Sequence, residues 1–368
     1  MRKLSTVLFM VALVLGAGNA AAFEREIPVR SGGLVEFDLE TGATITITGW
    51  SSESVKVSAK ISGRHADDVD LRVEERNGGV FITSRLTESR KSQNVTIKLE
   101  VRVPSICDVK IESMGGAVSI DGVEGTFSGQ TMGGRLNLTN LRGELDLTTM
   151  GGEIQLTNSD VDGKVTTMGG KALVEDVFGD VKVTSMGGEI TRRRVTRSDG
   201  SSIGEQVNIH TMGGSIDVSD APLGADVHTM GGDITIGSAA DYVKAETMGG
   251  DIRIKEVDGW VNATTMAGDI QVTVIGNHDV ELASMSGDVT LVIPDGSNLD
   301  IKIELDYTKN SSRNFKIVSD FPLDQQESAD WNYDEGSPRK TIRGVGTGGG
   351  NRVVIRTING NVYLKKSR

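Results

Sequence analysis

The sequence predicts an all-β fold: a single-stranded parallel β-helix, or solenoid, of about ten coils of 18 residues, taken as right-handed. A β-rich N-terminal cap and a C-terminal cap close it. Three observations lead there. The phrase Ser/Thr-Met-Gly-Gly, slightly degraded near its end, recurs with methionines at 114, 132, 150, 168, 186, 212, 230, 248, 266 and 285. Their spacings are 18, 18, 18, 18, 26, 18, 18, 18 and 19, and every methionine beyond residue 22 belongs to the series. Each unit also holds two short segments in which apolar and polar residues alternate, the period of a strand. Finally, the 47 glycines follow no Gly-X-Y period, so they are not collagen, and 37% apolar residues is too many for simple disorder.

Within a unit the first strand is illustrated by Val181-Lys182-Val183-Thr184-Ser185, and the second by Ile154-Gln155-Leu156, Ile234-Thr235-Ile236 and Ile252-Arg253-Ile254. Met-Gly-Gly between them shifts the parity of the inward positions, as a corner or bulge does. Glycine suits it through tolerance of positive φ and of close backbone approach. A further apolar residue, such as Val123, Leu141, Val177 or Val257, precedes the next turn. One unit cannot fold alone. Fixing a residue's backbone costs roughly 1–2 kcal/mol, and each buried aliphatic side chain returns only about 1.5–3 kcal/mol. Units must therefore stack, about 4.8 Å apart, pairing their backbone groups with their neighbours. The methionines are expected to fill buried corners, where their flexibility suits irregular gaps. The Ser/Thr before each is expected to face inward with its hydroxyl satisfied along the stack.

The flanks complete the plan. Residues 1–22 have the form of a secretory signal, with Arg2 and Lys3, an apolar run from Val7 to Leu15, and Ala20-Ala21-Ala22 as cleavage site. The run is too short for a membrane span, and no later segment is apolar enough. Losing Arg2 and Lys3 takes the formal charge from -12 to -14. The N-terminal cap region spans 23–110, the repeat body 111–291 and the C-terminal cap 292–368, with a polar, loop-like stretch at 306–350. Val353-Val354-Ile355-Arg356-Thr357 returns to the strand pattern, and Thr357-Ile358-Asn359-Gly360 resembles a worn corner that supplies a last coil.

The export signal, the strands ending in Val101-Arg102-Val103-Pro104, the Gly-Gly-Asp-Ile repeats and the terminal Ile355-Arg356-Thr357-Ile358-Asn359-Gly360-Asn361-Val362 together resemble a known group. It is a large bacterial β-strand-repeat family of unknown function whose members carry the label of candidate adhesins. The resemblance covers most of the chain beyond the leader. It implies a β-helix associated with the cell envelope, and it brings no catalytic residues with it.

Composition narrows the function. With 39 Lys plus Arg against 51 Asp plus Glu, the chain lacks the basic excess of a non-specific nucleic-acid binder. The lone Cys107 excludes an internal disulfide and any cysteine-cluster metal site. No nucleophile elbow, phosphate loop or zinc-protease helix is present, and no cofactor is expected.

Two places stand out. The long, 26-residue unit carries Arg192, Arg193, Arg194 and Arg197, a basic segment on an acidic body and the best candidate for contacting an anionic partner. Arg192 replaces an aliphatic column, so the second strand is expected to end early there. Two positions before methionine, three successive coils carry His210, His228 and Glu246, types that suit a divalent metal such as zinc. A straight ladder converges poorly on one ion, and solvated surface is the competing expectation. Asp233, Asp251, Asp269 and Asp288 follow the glycines and are expected to accept hydrogen bonds at the turn rather than bind calcium. The expected function is non-enzymatic binding or scaffolding in the periplasm or outside the cell, with an envelope protein or polysaccharide as partner. A carbohydrate-active β-helix enzyme is the alternative.

Overall fold

The computed structural model describes residues 14–15, 20–87, 95–196, 207–310, 314–333 and 337–367. Most of the expected leader and Arg197 lie outside the described residues. Two compact units divide the chain, Met1–Gly170 and Lys171–Arg368. Both are all-β, and among the described residues the only helical element is the 3-10 turn Ala66–Asp68.

In the first unit, parallel ladders join residues 18 apart. Val118–Asp121 pairs with Leu136–Thr139, which pairs in turn with the start of Ile154–Thr167. Glu124–Thr131 pairs with Arg142–Thr149, and that strand with Asp160 to Thr167. The N-terminal region continues these ladders and then blocks them. Thr44–Trp50 lies parallel to Val118–Asp121, and Gly33–Leu39 parallel to Cys107–Ser113. Beyond them Ala20–Pro28 and Val95–Pro104 run antiparallel to Ser54–Gly63. Antiparallel strands across a parallel stack do what a cap must, since they occupy its unpaired edge.

The second unit repeats the scheme. Ile234–Thr247 pairs residue for residue with Ile252–Thr265 at an offset of 18. The long unit is accommodated without breaking the ladder, because Ile190 pairs with Ile216 across 26 positions. The final strands return as the sequence led one to expect. Thr357 pairs with Ser284 and Val362 with Val289, both 73 positions back. The polar stretch 306–350 is not all loop: it contains the strands Ile317–Ser319, Asp324–Glu327 and Arg339–Thr347. Arg339–Thr347 runs antiparallel to Leu299–Thr308 and is mostly half-exposed, so its sequence shows little burial alternation.

The corner explains the phrase. Thr211 faces inward, Met212 and Gly213 face out, and Gly214 faces in again. Strand alternation therefore forces the methionines outward, which corrects the expectation that they are buried: all ten are 38–60% exposed. The two glycines differ in kind. A Cβ on Gly152, Gly214, Gly232, Gly250 or Gly268 would fall 1.9–2.3 Å from the carbonyl oxygen of the matching glycine one repeat earlier. At Gly133 nothing lies within 4 Å, and at Gly213 and Gly231 the nearest atoms are 3.5 and 3.8 Å away. In these repeats only the second glycine is sterically obligatory, through close approach rather than positive φ; in the first phrase Gly116 needs both, with φ 91 and a Cβ 2.1 Å from the Ala43 carbonyl oxygen. The worn repeats obey this, with Ala267 and Ser286 in the first position but Gly268 and Gly287 in the second.

The inward hydroxyl ties one repeat to the last. Thr149, Thr167, Thr229, Thr247 and Thr265 each donate to the second-glycine carbonyl of the preceding repeat at 2.8–2.9 Å. The same oxygens of Thr149, Thr167, Thr229 and Thr247 accept the N–H of their own second glycine at 3.0–3.3 Å. Thr131, also buried, has no such partner. Outside, the Asp ladder works as turn chemistry: the N–H groups of Asp251, Asp269 and Asp288 donate to Asp233, Asp251 and Asp269 at 2.9, 2.8 and 2.7 Å.

Two substitutions separate these roles. Gly232→Ala is expected to cost about 1–3 kcal/mol or more, as overpacking against backbone does, whereas Gly231→Ala should be neutral or stabilise by about 0.4–1 kcal/mol. Thr229→Val is expected to cost about 1–3 kcal/mol by stranding a buried carbonyl and N–H, with Thr229→Ser recovering most of it. Urea unfolding midpoints at unchanged slope test both.

Candidate functional site

The basic segment is built into the wall of the second unit. Ile190–Thr196 remains a strand through all three arginines, so it does not end early. Arg192 sits between Val174 and Val218 in the ladder and is buried, with Nη1 donating to the Asp220 carbonyl at 3.3 Å. Arg193 pairs with Asp217 at 3.1 Å. Arg194 adopts a left-handed backbone, φ 48, and its guanidinium meets Glu175 at 2.7 Å and Asp176 at 2.5 Å. Its hydrogen bond holds the Asp176 carboxyl below the usual carboxylate range. Much of the local positive charge is thus balanced at home.

His210, His228 and Glu246 form the expected row on three paired strands. The imidazole centroids of His210 and His228 are 6.1 Å apart, tilted by 35°. Nδ1 of His228 lies 3.5 Å from Glu246, whose other oxygen is 3.3 Å from Lys244. Among the described residues, no three His, Cys, Asp or Glu side chains are grouped to hold a metal ion.

A different place in the same unit has the form of a binding site. Tyr242 and Trp260 are ladder partners whose rings stack at 5.0 Å and 15°. Gly224 precedes them in the column, and a Cβ there would strike the Tyr242 ring at 2.3 Å. The 44% exposed Trp260 borders a cleft of about 470 Å³. Asn262, Asn277, His278, Asp279, Glu281 and Arg352 contribute polar groups to its lining. Most are fixed already: His278 contacts Asp258 at 2.9 Å, the Asp279 carboxylate accepts the Arg352 N–H at 2.8 Å, and Glu281 pairs with Arg356 at 2.8 Å. An indole face beside ordered donors and acceptors can hold a ligand that is apolar on one side and hydroxylated on the other.

The sequence profile of the Toastrack DUF4097 family matches residues 179–365. The chain belongs to the Toastrack DUF4097 family. The match spans the cleft and both candidate rows, and it bears out the resemblance carried by the glycine corners. No curated protein matches the chain. Among solved structures, it is similar to a candidate cell adhesion protein from Clostridium sporogenes, at 9% identity over 94% of this chain and 100% of that one, TM-score 0.20. A candidate lipid binding protein from Parabacteroides distasonis aligns at 14% identity, covering 73% and 98%, TM-score 0.29. A candidate adhesin from Parabacteroides merdae aligns at 14% identity, covering 73% and 97%, TM-score 0.28.

Sequence reasoning passed over the aromatic stack of this Toastrack chain, although a signal was present. Tyr242 and Trp260 stand 18 apart in a chain with only 3 Trp and 4 Tyr. By contrast, Trp331 is engaged in its own cluster, edge-on to Tyr307 at 5.7 Å with Lys340 at 5.6 Å. Among the described residues, no helix is long and apolar enough to cross a membrane.

Cys107 takes no part in these sites. Burial, reinforced by Asp108, pushes its thiol up to about 12, and Sγ lies 3.1 Å from the Gly33 carbonyl. Because the thiolate is the reactive species, Cys107 should resist an aromatic disulfide reagent at pH 8 in the folded protein. It should react fully in urea. Rapid native labelling would contradict the burial.

Proposed function

We propose that this chain is an exported, non-catalytic binding module of the bacterial cell envelope, working in the periplasm or at the surface in an adhesin-like or scaffolding role. Its body is a right-handed parallel β-helix of about ten coils, and its ligand is an envelope polysaccharide. The observation that carries the reading is the Tyr242–Trp260 stack at 5.0 Å beside the polar cleft. A pyranose has an apolar C–H face that lies on an indole and equatorial hydroxyls that meet amides and carboxylates at its rim. The stack is anchored on paired strands, so the platform is preorganised and little ordering entropy opposes binding. The basic segment at Arg192, Arg193 and Arg194 ranks second as a contact surface, because its charges are paired locally.

A carbohydrate-active enzyme is the competing reading, favoured by Asp279 and Glu281 lining the same cleft. Their existing partners oppose it. Glu281 is engaged by the Arg356 guanidinium at 2.8 Å and the Asp279 carboxylate by the Arg352 N–H at 2.8 Å, so neither is free to act on a glycosidic bond. Calorimetry against a panel of envelope polysaccharides, with product analysis on the same mixtures, separates the two. Binding without new reducing ends is expected, and Trp260→Ala should weaken it by about 2 kcal/mol, roughly thirtyfold. Turnover of any polysaccharide would overturn the non-catalytic reading.

A further inference from the structure

The methionine column has no structural need to be methionine. The side chains point outward, 38–60% exposed, and fill no interior gap. In the second unit they form a row at Met186, Met212, Met230, Met248, Met266 and Met285, beside first-position residues that are glycine, alanine or serine. Successive members sit at stacked corners just past the ends of paired strands, with the Met212 N–H donating to the Met186 carbonyl at 2.9 Å and the Thr211 N–H to the His228 carbonyl at 2.9 Å. Strands pair about 4.8 Å apart. Two thioethers at neighbouring stacked corners, each with three rotatable bonds, can therefore turn onto one ion between them.

The adjacent column supplies the second half of a ligand set. His210 and Met212 flank the inward Thr211 and both face outward at the entry to the corner, as do His228 and Met230 around Thr229. The ladder places His210 opposite His228. Two imidazoles at the ends of two paired strands and two thioethers at the corners that follow thus occupy four neighbouring outward positions. Glu246 lies 3.5 Å from Nδ1 of His228. A carboxylate on one ring nitrogen orients the other toward a metal, the usual second contact of a ligating histidine.

We propose that Met212, Met230, His210 and His228 form a binding site for a soft monovalent cation, Cu(I) or Ag(I), with the rest of the methionine row offering further, weaker positions. Thioether sulfur is a soft donor that selects Cu(I) over hard divalent ions, and imidazole accepts copper as well. Glu246 acts here as the orienting group rather than as a ligand. This differs in kind from a zinc site at His210, His228 and Glu246, which would have to use the carboxylate and leave the sulfurs idle.

The test uses the full chain in a Cys107→Ala background, so that no thiol competes, with [methyl-13C]methionine and Ag(I), which needs no reductant. The Met212 and Met230 methyl resonances are expected to move first and to saturate near one equivalent, with other methyls following in excess silver. Met212→Leu with Met230→Leu should weaken the first event at least about tenfold, and Glu246→Gln should also weaken it by about tenfold. Because these side chains are exposed, the variants should melt with the parent, which circular dichroism verifies. Unmoved methyl resonances, silver affinity unchanged in the double leucine variant, or a site perturbed only at its histidines would each overturn the proposal. So would methyl shifts produced by an apolar partner and not by silver.

Discussion

The structure depends on the approach of one glycine backbone to another. The second glycine of each phrase packs so tightly on the carbonyl of its counterpart one repeat earlier that any side chain would lie about 2 Å from that oxygen. That carbonyl is then bound by the hydroxyl of the following Thr, as Gly214 is by Thr229 at 2.8 Å. The hydroxyl in turn accepts from its own Gly232. A corner is where strand pairing lapses and backbone groups lose their partners. The Thr-Gly bridge restores them and holds the two flanking strands at their opposite parities.

Both proposed sites ride on that fixed parity. Strand alternation carried up to the corner turns His210 and Met212 outward with Thr211 buried between them, and the parity changes only after Met212. Along the next strands, the 18-residue register sets Tyr242 against Trp260. The interior aliphatic columns are nearly invariant in kind, so the outer columns are where one repeat can differ from the next. Imidazole changes to carboxylate between His228 and Glu246, and an aspartate row begins at Asp233. Alternating charge appears in the same way, as in the pairs Arg135–Glu153 at 2.6 Å and Lys171–Glu189 at 2.8 Å.

Much of this was legible in the sequence, for physical reasons. The fold class, the unit length, the inward Thr and the return of the last strands followed from periodicity, because stacking makes every repeat experience the same environment. The exposure of the methionines was misjudged. Hydropathy alone places methionine inside, whereas counting parity through Thr-Met-Gly-Gly places it outside. Arg192 was misjudged in the opposite sense, since its long side chain bonds the Asp220 carbonyl while its backbone stays in the ladder. The cleft at Trp260 was the hardest to see. It joins Trp260, Asp279 and Arg352, which are distant in sequence and adjacent only once the final strand returns.

That return has a consequence for how the second unit assembles. Most of its rungs join residues 18 apart, so they close short loops and can form wherever a neighbour already exists. The last rung, Thr357 on Ser284, spans 73 residues. Its closure carries about 1 kcal/mol of additional chain entropy. It also waits for synthesis of nearly the whole chain. The Trp260 cleft takes Asn351, Arg352 and Val354 from that strand, so the proposed binding site is completed only at the end of folding, and a nascent or truncated chain would present a stacked body without that cleft.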